Sequence, residues 1–340
     1  MLNKNSQYMK LAIEEAWKYQ LLTYPNPAVG ATIVKNNSVI SVEAHHEAGK
    51  PHAEVLALKA AYLTKYPNSK LKNIEDSHKI HNYLSLEHND FFINCEIYVT
   101  LEPCNHVGKT PACAMLLEAL KIKKVFIGTL DPNPEASGGV KRLEDSGIEV
   151  ESGILQEETD KLLFPFTAYQ SGHFSFFKMA MREDGSIDGG YITTQDSLNL
   201  VHEIRTKIDL MVIGGNTVRI DRPTLDSRFS IRKKSSDILI YSNQKEFDKE
   251  IPLFNVKNRK VTISNSINLM KKQKFSMIEG GHNLLNILGE NIDYLMVFVS
   301  HKFKSKTPFT FDKNLYNLEY SYYLNQYDEV QYLKKINTIN

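Results

Sequence analysis

Near the start of the chain, apolar positions recur at helical spacing. Met9, Ala12, Ile13, Ala16 and Trp17 share one face of a helix predicted over residues 6–22, which must stop before Pro25. The period then shortens. Residues 29–34 and 39–42 are apolar, β-branched runs of strand length and predict a hairpin. Helical spacing returns after His52, and then come a strand over residues 97–100, a helix over 111–120 and a strand over 124–128. Strands alternating with helices predict an α/β sandwich with its chemistry at the carboxyl ends of strands. No internal repeat interrupts the pattern.

Residues 65–94 fit this alternation poorly. They are rich in Asn, Lys, His and Ser, contain His78, His81 and His88, and read as an insertion. A second metal site is one reading of the histidines, and a solvated loop or short helical excursion is the favoured one. The first domain closes over residues 147–150 and a bridging helix follows over 156–163, so the domains are expected at 1–155 and 156–340. Beyond the boundary, strands are predicted over 174–179, 209–213, 238–241, 260–263 and 275–278, with a helix over 195–207. Two of these strands end on paired glycines, Gly214 and Gly215, and Gly280 and Gly281. The second pair enters a helical run, a turn whose free N–H groups suit a pyrophosphate. Neither pair forms the GxGxxG fingerprint, so a standard dinucleotide-binding domain is not indicated.

At 340 residues the chain is long enough for two separate cores. Its 41 basic and 40 acidic side chains nearly cancel, leaving a formal charge of +1 and no broad positive field for a nucleic acid. The longest apolar runs, such as residues 294–299, are of strand length and too short for a membrane span. The first residues lack the apolar core of a signal peptide. Only three cysteines are present, so no disulfide framework is expected. Cys95 lies among strand residues and reads as a small buried hydrophobe. These features together lead to the expectation of a cytoplasmic protein acting on a small molecule, with no nucleic-acid or membrane partner.

The chemistry is concentrated in His52-Ala53-Glu54, Pro103-Cys104 and Cys113. One imidazole and two thiolates supply three zinc ligands and leave a fourth tetrahedral position for water. Glu54 is then the proton shuttle rather than a ligand, as hydrolytic deamination of a nucleobase requires. A structural zinc site would normally be closed by a fourth protein ligand at short CxxC spacing. Here the histidine helix and a second helix opened by the Pro103-Cys104 element suggest two facing helix N-termini, which favours the catalytic reading.

Eight residues separate the two cysteines, where the common deaminase signature has two. With Thr100-Leu101-Glu102-Pro103-Cys104-Asn105-His106, Gly108-Lys109-Thr110-Pro111, Pro25-Asn26-Pro27-Ala28-Val29-Gly30 and Asp131-Pro132-Asn133-Pro134, the chain resembles the bifunctional deaminase/reductase family of riboflavin biosynthesis. Lys178, Asp184-Gly185 and Glu279-Gly280-Gly281 extend the resemblance over nearly the whole length. It implies a cytidine-deaminase-like α/β/α sandwich followed by a dihydrofolate-reductase-like α/β domain, one Zn²⁺ per chain, NADPH, and a homo-oligomer. The implied substrate is a pyrimidine ribose phosphate, deaminated at C2 and then reduced at the ribose C1. An alternative is a single-function nucleoside or tRNA deaminase with a non-catalytic nucleotide-binding C-terminal domain.

Carried over position by position, the resemblance implies catalytic roles for Glu54 and Lys178 and metal ligation by His52, Cys104 and Cys113. It implies substrate contacts at Asn26, His45, His106, Lys109, Gly189, Arg205, Leu225, Arg228 and Glu279. Cofactor contacts fall at Ala180, Tyr191, Thr217, Asp221, Ser242, Gly281, His282, Asn283, Leu284, Leu285, Asn286 and Ile287. Arginines suit a ribose phosphate through bidentate, charge-assisted bonds. The chain departs from the family pattern at Arg182-Glu183, where Ser-Leu is common. It also departs at Tyr191, where tryptophan is frequent, and at Val107, where a second histidine is frequent.

Overall fold

The computed structural model describes residues 3–106, 108, 110–134, 137–187, 192–301 and 313–336. The chain divides into two compact units, Met1–Thr167 and Ala168–Asn340.

The first unit contains α1 (Lys4–Trp17), β1 (Gly30–Lys35), β2 (Ser38–Ala44), α2 (Ala53–Lys65), α3 (Ser77–Glu87), β3 (Cys95–Leu101), α4 (Cys113–Ala119), β4 (Lys124–Thr129), α5 (Gly139–Asp145) and β5 (Glu149–Ser152), and α6 (Gln156–Gln170) leads out of it. Its sheet has the order β2-β1-β3-β4-β5, with β1 antiparallel to β2 and β3 and with β3, β4 and β5 parallel. The side chain of Asn3 caps α1 by accepting from the Ser6 N–H at 2.8 Å. The helix buries Met9, Ala12, Ile13, Ala16 and Trp17, the face its periodicity marked. That face lies on β1 so closely that any side chain at Gly30 would meet the Ala12 carbonyl. Tyr98 and Phe126, register partners on β3 and β4, stack with ring centres 4.3 Å apart. Such a cross-strand pair helps fix the register of the two parallel strands whose ends carry the site.

Residues 65–94 form a short helical excursion, one of the two forms expected, and not a solvated loop. A short 3₁₀ turn (Lys70–Asn73) and α3 bury Leu71, Ile80 and Leu84 completely. They join the same apolar cluster as Leu58, Phe92, Cys104 and Cys113. Composition concealed this, because few apolar residues in a polar segment suffice when they fall on one helix face. His78, His81 and His88 form no metal group among the described residues. A second correction concerns α4, which begins at Cys113 and not at the Pro103-Cys104 element. Cys104 lies in irregular backbone just beyond β3.

The second unit contains β6 (Phe174–Arg182), α7 (Gln195–Arg205), β7 (Leu210–Gly214), α8 (Gly215–Asp221), β8 (Asp237–Tyr241), β9 (Val261–Ser264), α9 (Asn268–Lys271), β10 (Phe275–Glu279), α10 (His282–Leu288), β11 (Tyr294–Ser300), β12 (Tyr316–Tyr323) and β13 (Asp328–Lys335). The sheet order is β12-β13-β11-β6-β10-β7-β8-β9. Strands from β11 to β9 are parallel, and β13 and β12 add an antiparallel edge. The central strands are buried on both faces, which is why they read as unbroken apolar runs. Asp328, fully buried on β13, accepts from the N–H and hydroxyl of Thr194 and from the Ser197 hydroxyl, so a carboxylate from β13 anchors the start of α7. Among the described residues no helix is long and apolar enough to cross a membrane.

Candidate functional site

In the first unit three segments converge at the carboxyl ends of the parallel strands. His52 is the N-cap of α2, Cys104 follows β3, and Cys113 is the first residue of α4. Their ligand atoms all lie within 4.8 Å of one another. His52 Nδ1 stands 3.6 Å from Cys104 Sγ and 3.4 Å from Cys113 Sγ. Zinc bonds of roughly 2.3 Å to sulfur and 2.0 Å to nitrogen, spread at the tetrahedral angle, put nitrogen and sulfur about 3.5 Å apart. The observed spacings are the edges of such a tetrahedron, so the donor set and its geometry both fit zinc. The other ring nitrogen, Nε2, stands 3.2 Å from the Thr110 hydroxyl, which fixes the imidazole plane. The Cys113 N–H donates to Cys104 Sγ at 3.4 Å.

Contact with Cys113, helped by His52, holds the Cys104 thiol below the usual thiol range, while the same contact and burial push Cys113 up. Burial works against a charged His52, but the Cys104 sulfur outweighs it and the ring is raised. Glu54, the second residue of α2, is buried, and that burial pushes its carboxyl up to about 7 despite His52 beside it. A carboxyl that gains and loses its proton near neutral pH suits general acid–base work.

Asn26 and His45 are brought to this centre as a pair. Asn26 Nδ2 lies 3.1 Å from His45 Nε2, and His45 Nδ1 lies 3.0 Å from the Pro51 carbonyl. The His45 ring meets His52 edge-on with centres 5.4 Å apart. Burial lowers His45 to about 4, so the ring is neutral, donating from Nδ1 and accepting at Nε2. His106 is exposed on the segment between the cysteines, and Lys109 lies outside the described residues. Sequence reasoning missed Glu102. Its Oε1 accepts from the N–H groups of Gly138 and Val140 and its Oε2 from that of Asp131, tying the loop after β4 and the start of α5 to the metal-bearing segment. Nothing in its sequence neighbourhood marks those distant partners.

In the second unit Lys178, Arg205 and Glu279 come together. Lys178 and Glu279 are register partners on β6 and β10, with Nζ 3.9 Å from Oε1. Arg205, at the end of α7, reaches both Glu279 oxygens from Nη2 at 3.1 and 2.9 Å. Burial lowers Lys178, with Arg205 adding to the effect against Glu279. Burial alone would raise Glu279, but Arg205 and Lys178 hold it below the usual carboxylate range. Arg228 is instead exposed and paired with Asp226 at 2.7 Å. Leu225 is buried with φ +53°.

The expected cofactor residues gather in part. A side chain at Gly215 would press on the Ser242 hydroxyl, and one at Gly280 on Leu284, whereas one at Gly281 would meet open space. Gly214 faces Thr217 and Leu284 at ordinary contact distances. Glycines, a threonine and a serine therefore line the carboxyl ends of β7, β8 and β10, the position at which open α/β sheets take ligands. This small, hydroxyl-bearing lining fits a nucleotide phosphate. Ala180 is half-buried on β6, two residues past Lys178. His282 is half-buried, with Nε2 2.9 Å from Asn286 Nδ2. Asn283, Asn286 and Ile287 are exposed on α10, Leu285 is buried, and Asp221 is exposed at the end of α8. Gly189 and Tyr191 lie outside the described residues.

The cytidine and deoxycytidylate deaminase zinc-binding region matches residues 2–129. The riboflavin biosynthesis protein RibD of Aquifex aeolicus is 33% identical over 301 residues, which cover 84% of this chain and 76% of that protein. Several other curated bacterial relatives align over 50% to 57% of their own length. Among solved structures, RibD of Acinetobacter baumannii superposes over 99% of this chain and 100% of its own, with TM-score 0.63 and 27% identity. A diaminohydroxyphosphoribosylaminopyrimidine deaminase/5-amino-6-(5-phosphoribosylamino)uracil reductase from Thermotoga maritima matches with TM-score 0.62 and 26% identity over 98% of this chain and 99% of that one. The deaminase zinc-binding region lies in the first unit, as the expected cytidine-deaminase-like half requires, and the RibD superposition runs on through the second unit. A single-function deaminase with an inert second half is not favoured, because the match runs through both units. The chain belongs to the family of the riboflavin biosynthesis protein RibD.

Proposed function

We propose that the two units perform successive steps of riboflavin biosynthesis. The Met1–Thr167 unit deaminates 2,5-diamino-6-ribosylamino-4(3H)-pyrimidinone 5′-phosphate. The Ala168–Asn340 unit then reduces the ribose with NADPH, giving 5-amino-6-(5-phosphoribitylamino)uracil. The observation that carries this reading is the tetrahedral spacing of His52, Cys104 and Cys113 beside the buried carboxyl of Glu54.

Zinc, when bound, makes water nucleophilic at neutral pH. His52 Nδ1 and the two cysteine sulfurs would hold it, and Thr110 keeps the His52 ring in place. Glu54 moves a proton from water to the ring nitrogen of the pyrimidine and then to the leaving ammonia. The neutral His45 holds the Asn26 amide, which orients the pyrimidine edge. His106 and Lys109 take the phosphate side.

When bound, NADPH would supply hydride chemistry at the ribose C1. Ala180, Tyr191, Thr217, Asp221, Ser242 and residues 281–287 would hold it. Lys178, its grip on the proton weakened by burial, donates to the opening sugar oxygen. Glu279 keeps Lys178 and Arg205 in place, and Arg205, Arg228, Leu225 and Gly189 receive the ribose phosphate. A cytoplasmic location and a homo-oligomeric state belong to the same proposal.

Selective metal removal tests the assignment of steps to units. Chelation should stop ammonia release and added zinc should restore it, while NADPH oxidation with the deaminated intermediate stays unchanged. Chelator-resistant ammonia release, or loss of both steps together, contradicts the reading.

A further inference from the structure

The segment over residues 223–229 carries two of the substrate residues proposed above, and it is held in an unusual way. Leu225 has φ +53°, in the left-handed region that a branched L residue avoids. Such a conformation persists only when its surroundings over-determine it. Leu225 is buried, and one side chain bonds the backbone on both sides of it. The Arg259 guanidinium donates from Nη1 to the Thr224 carbonyl at 2.8 Å, from Nη2 to the Leu225 carbonyl, and from Nε to the Ser236 carbonyl at 3.0 Å.

The Thr224 and Leu225 carbonyls belong to the two peptide planes that flank the Leu225 Cα. Fixing both planes sets φ and ψ of that residue, a task for which the rigid fork of arginine is suited and the single ammonium of lysine is not. The consequence extends to the reductase centre. The next carbonyl, that of Asp226, accepts from Arg205 Nη1 at 3.1 Å, and Arg205 in turn holds Glu279. Phe229 closes the segment by donating its N–H to His202 Nδ1 at 3.3 Å. If Leu225 relaxed to negative φ, a peptide plane would turn, and the Asp226 carbonyl and Arg228 would leave their positions.

We infer that Arg259 is a positioning residue of the reductase, clamping the peptide planes around Leu225 so that Arg205, Leu225 and Arg228 are preset for the ribose phosphate. This inference rests on the reductase reading above. The test compares the wild-type chain with Arg259→Met and Arg259→Lys, supplying the deaminated phosphoribosyl intermediate and NADPH. Arg259→Met should raise KM for the pyrimidine about tenfold while leaving kcat and KM for NADPH within about twofold. Arg259→Lys should fall between wild type and Arg259→Met, and deamination by the same chains serves as the folding control. Amide hydrogen exchange provides a second, substrate-free readout. Residues 223–229 should exchange faster in Arg259→Met, with α7 and β10 unchanged. An unchanged pyrimidine KM in an active enzyme, equal rises for pyrimidine and NADPH, or unchanged exchange over 223–229 would overturn the inference. If the wild-type chain oxidised no NADPH, the reductase reading itself would fail, whereas the exchange result would still decide whether the clamp exists.

Discussion

Glu54 and His202 are two buried titratable side chains whose environments set different tasks. Glu54 exchanges its proton near neutral pH beside the metal ligands, so Glu54→Gln should lower the rate of ammonia release by about 10²–10⁴-fold. Zinc content, measured by atomic absorption, should not change, because the carboxyl is not needed as a ligand. His202 was invisible in the sequence as anything but a helix residue. In the fold it is buried and lowered to about 4, first by burial and then by Arg205. The unfolded chain protonates this ring near 6.5, so between pH 6.5 and 4 the unfolded state binds more protons and stability falls as pH falls. The loss should reach of the order of 2–3 kcal/mol. His202→Gln should flatten the dependence of urea midpoints on pH in that window, and an unchanged slope would contradict the assignment. The motif residues His52, Glu54, Cys104 and Cys113 were legible because their chemistry is local and spaced. Thr110, Glu102 and Arg259 were not assigned roles, because their work is done on backbone or rings that only the fold brings near.

At the scale of elements, the segment over residues 65–94 separates what patterning reveals from what it hides. Strands β1, β3, β4, β7, β8 and β10 fell where apolar runs marked them, since burial on both faces leaves an unbroken signal. The helix α3 was read as an excursion because its surroundings are polar, yet Ile80 and Leu84 are wholly buried against the cluster that includes Cys104 and Cys113. Ile80→Ala should therefore destabilise the first unit by about 2–4 kcal/mol in chemical denaturation. Because the cavity lies in the core behind the ligands, zinc release to a chelator should accelerate as well. A cost below about 0.5 kcal/mol would return this segment to the surface. The antiparallel strands β12 and β13 were not foreseen, as partly exposed residues interrupted by polar ones give a weak signal. Their contribution is concrete all the same, because Asp328 on β13 anchors the start of α7, the helix that ends in Arg205. Asp328→Ala should cost about 1–3 kcal/mol by leaving the Thr194 and Ser197 donors unpaired, read as a shift of the second unit's thermal transition.

For the whole molecule, two units with separate sheets and separate chemistry explain why composition looked unremarkable. Near-neutral charge gives no broad field that would draw a polyanion, and the three cysteines are free. The claim that both units act on one substrate in sequence is tested most directly by incubating the zinc-loaded chain with the diaminopyrimidine ribose phosphate and following products by mass spectrometry, with and without NADPH. Without NADPH, one amino group should be replaced by oxygen and nothing further should happen. With NADPH, the same product should gain two hydrogens. An unchanged substrate, or reduction that precedes loss of ammonia, would contradict the account.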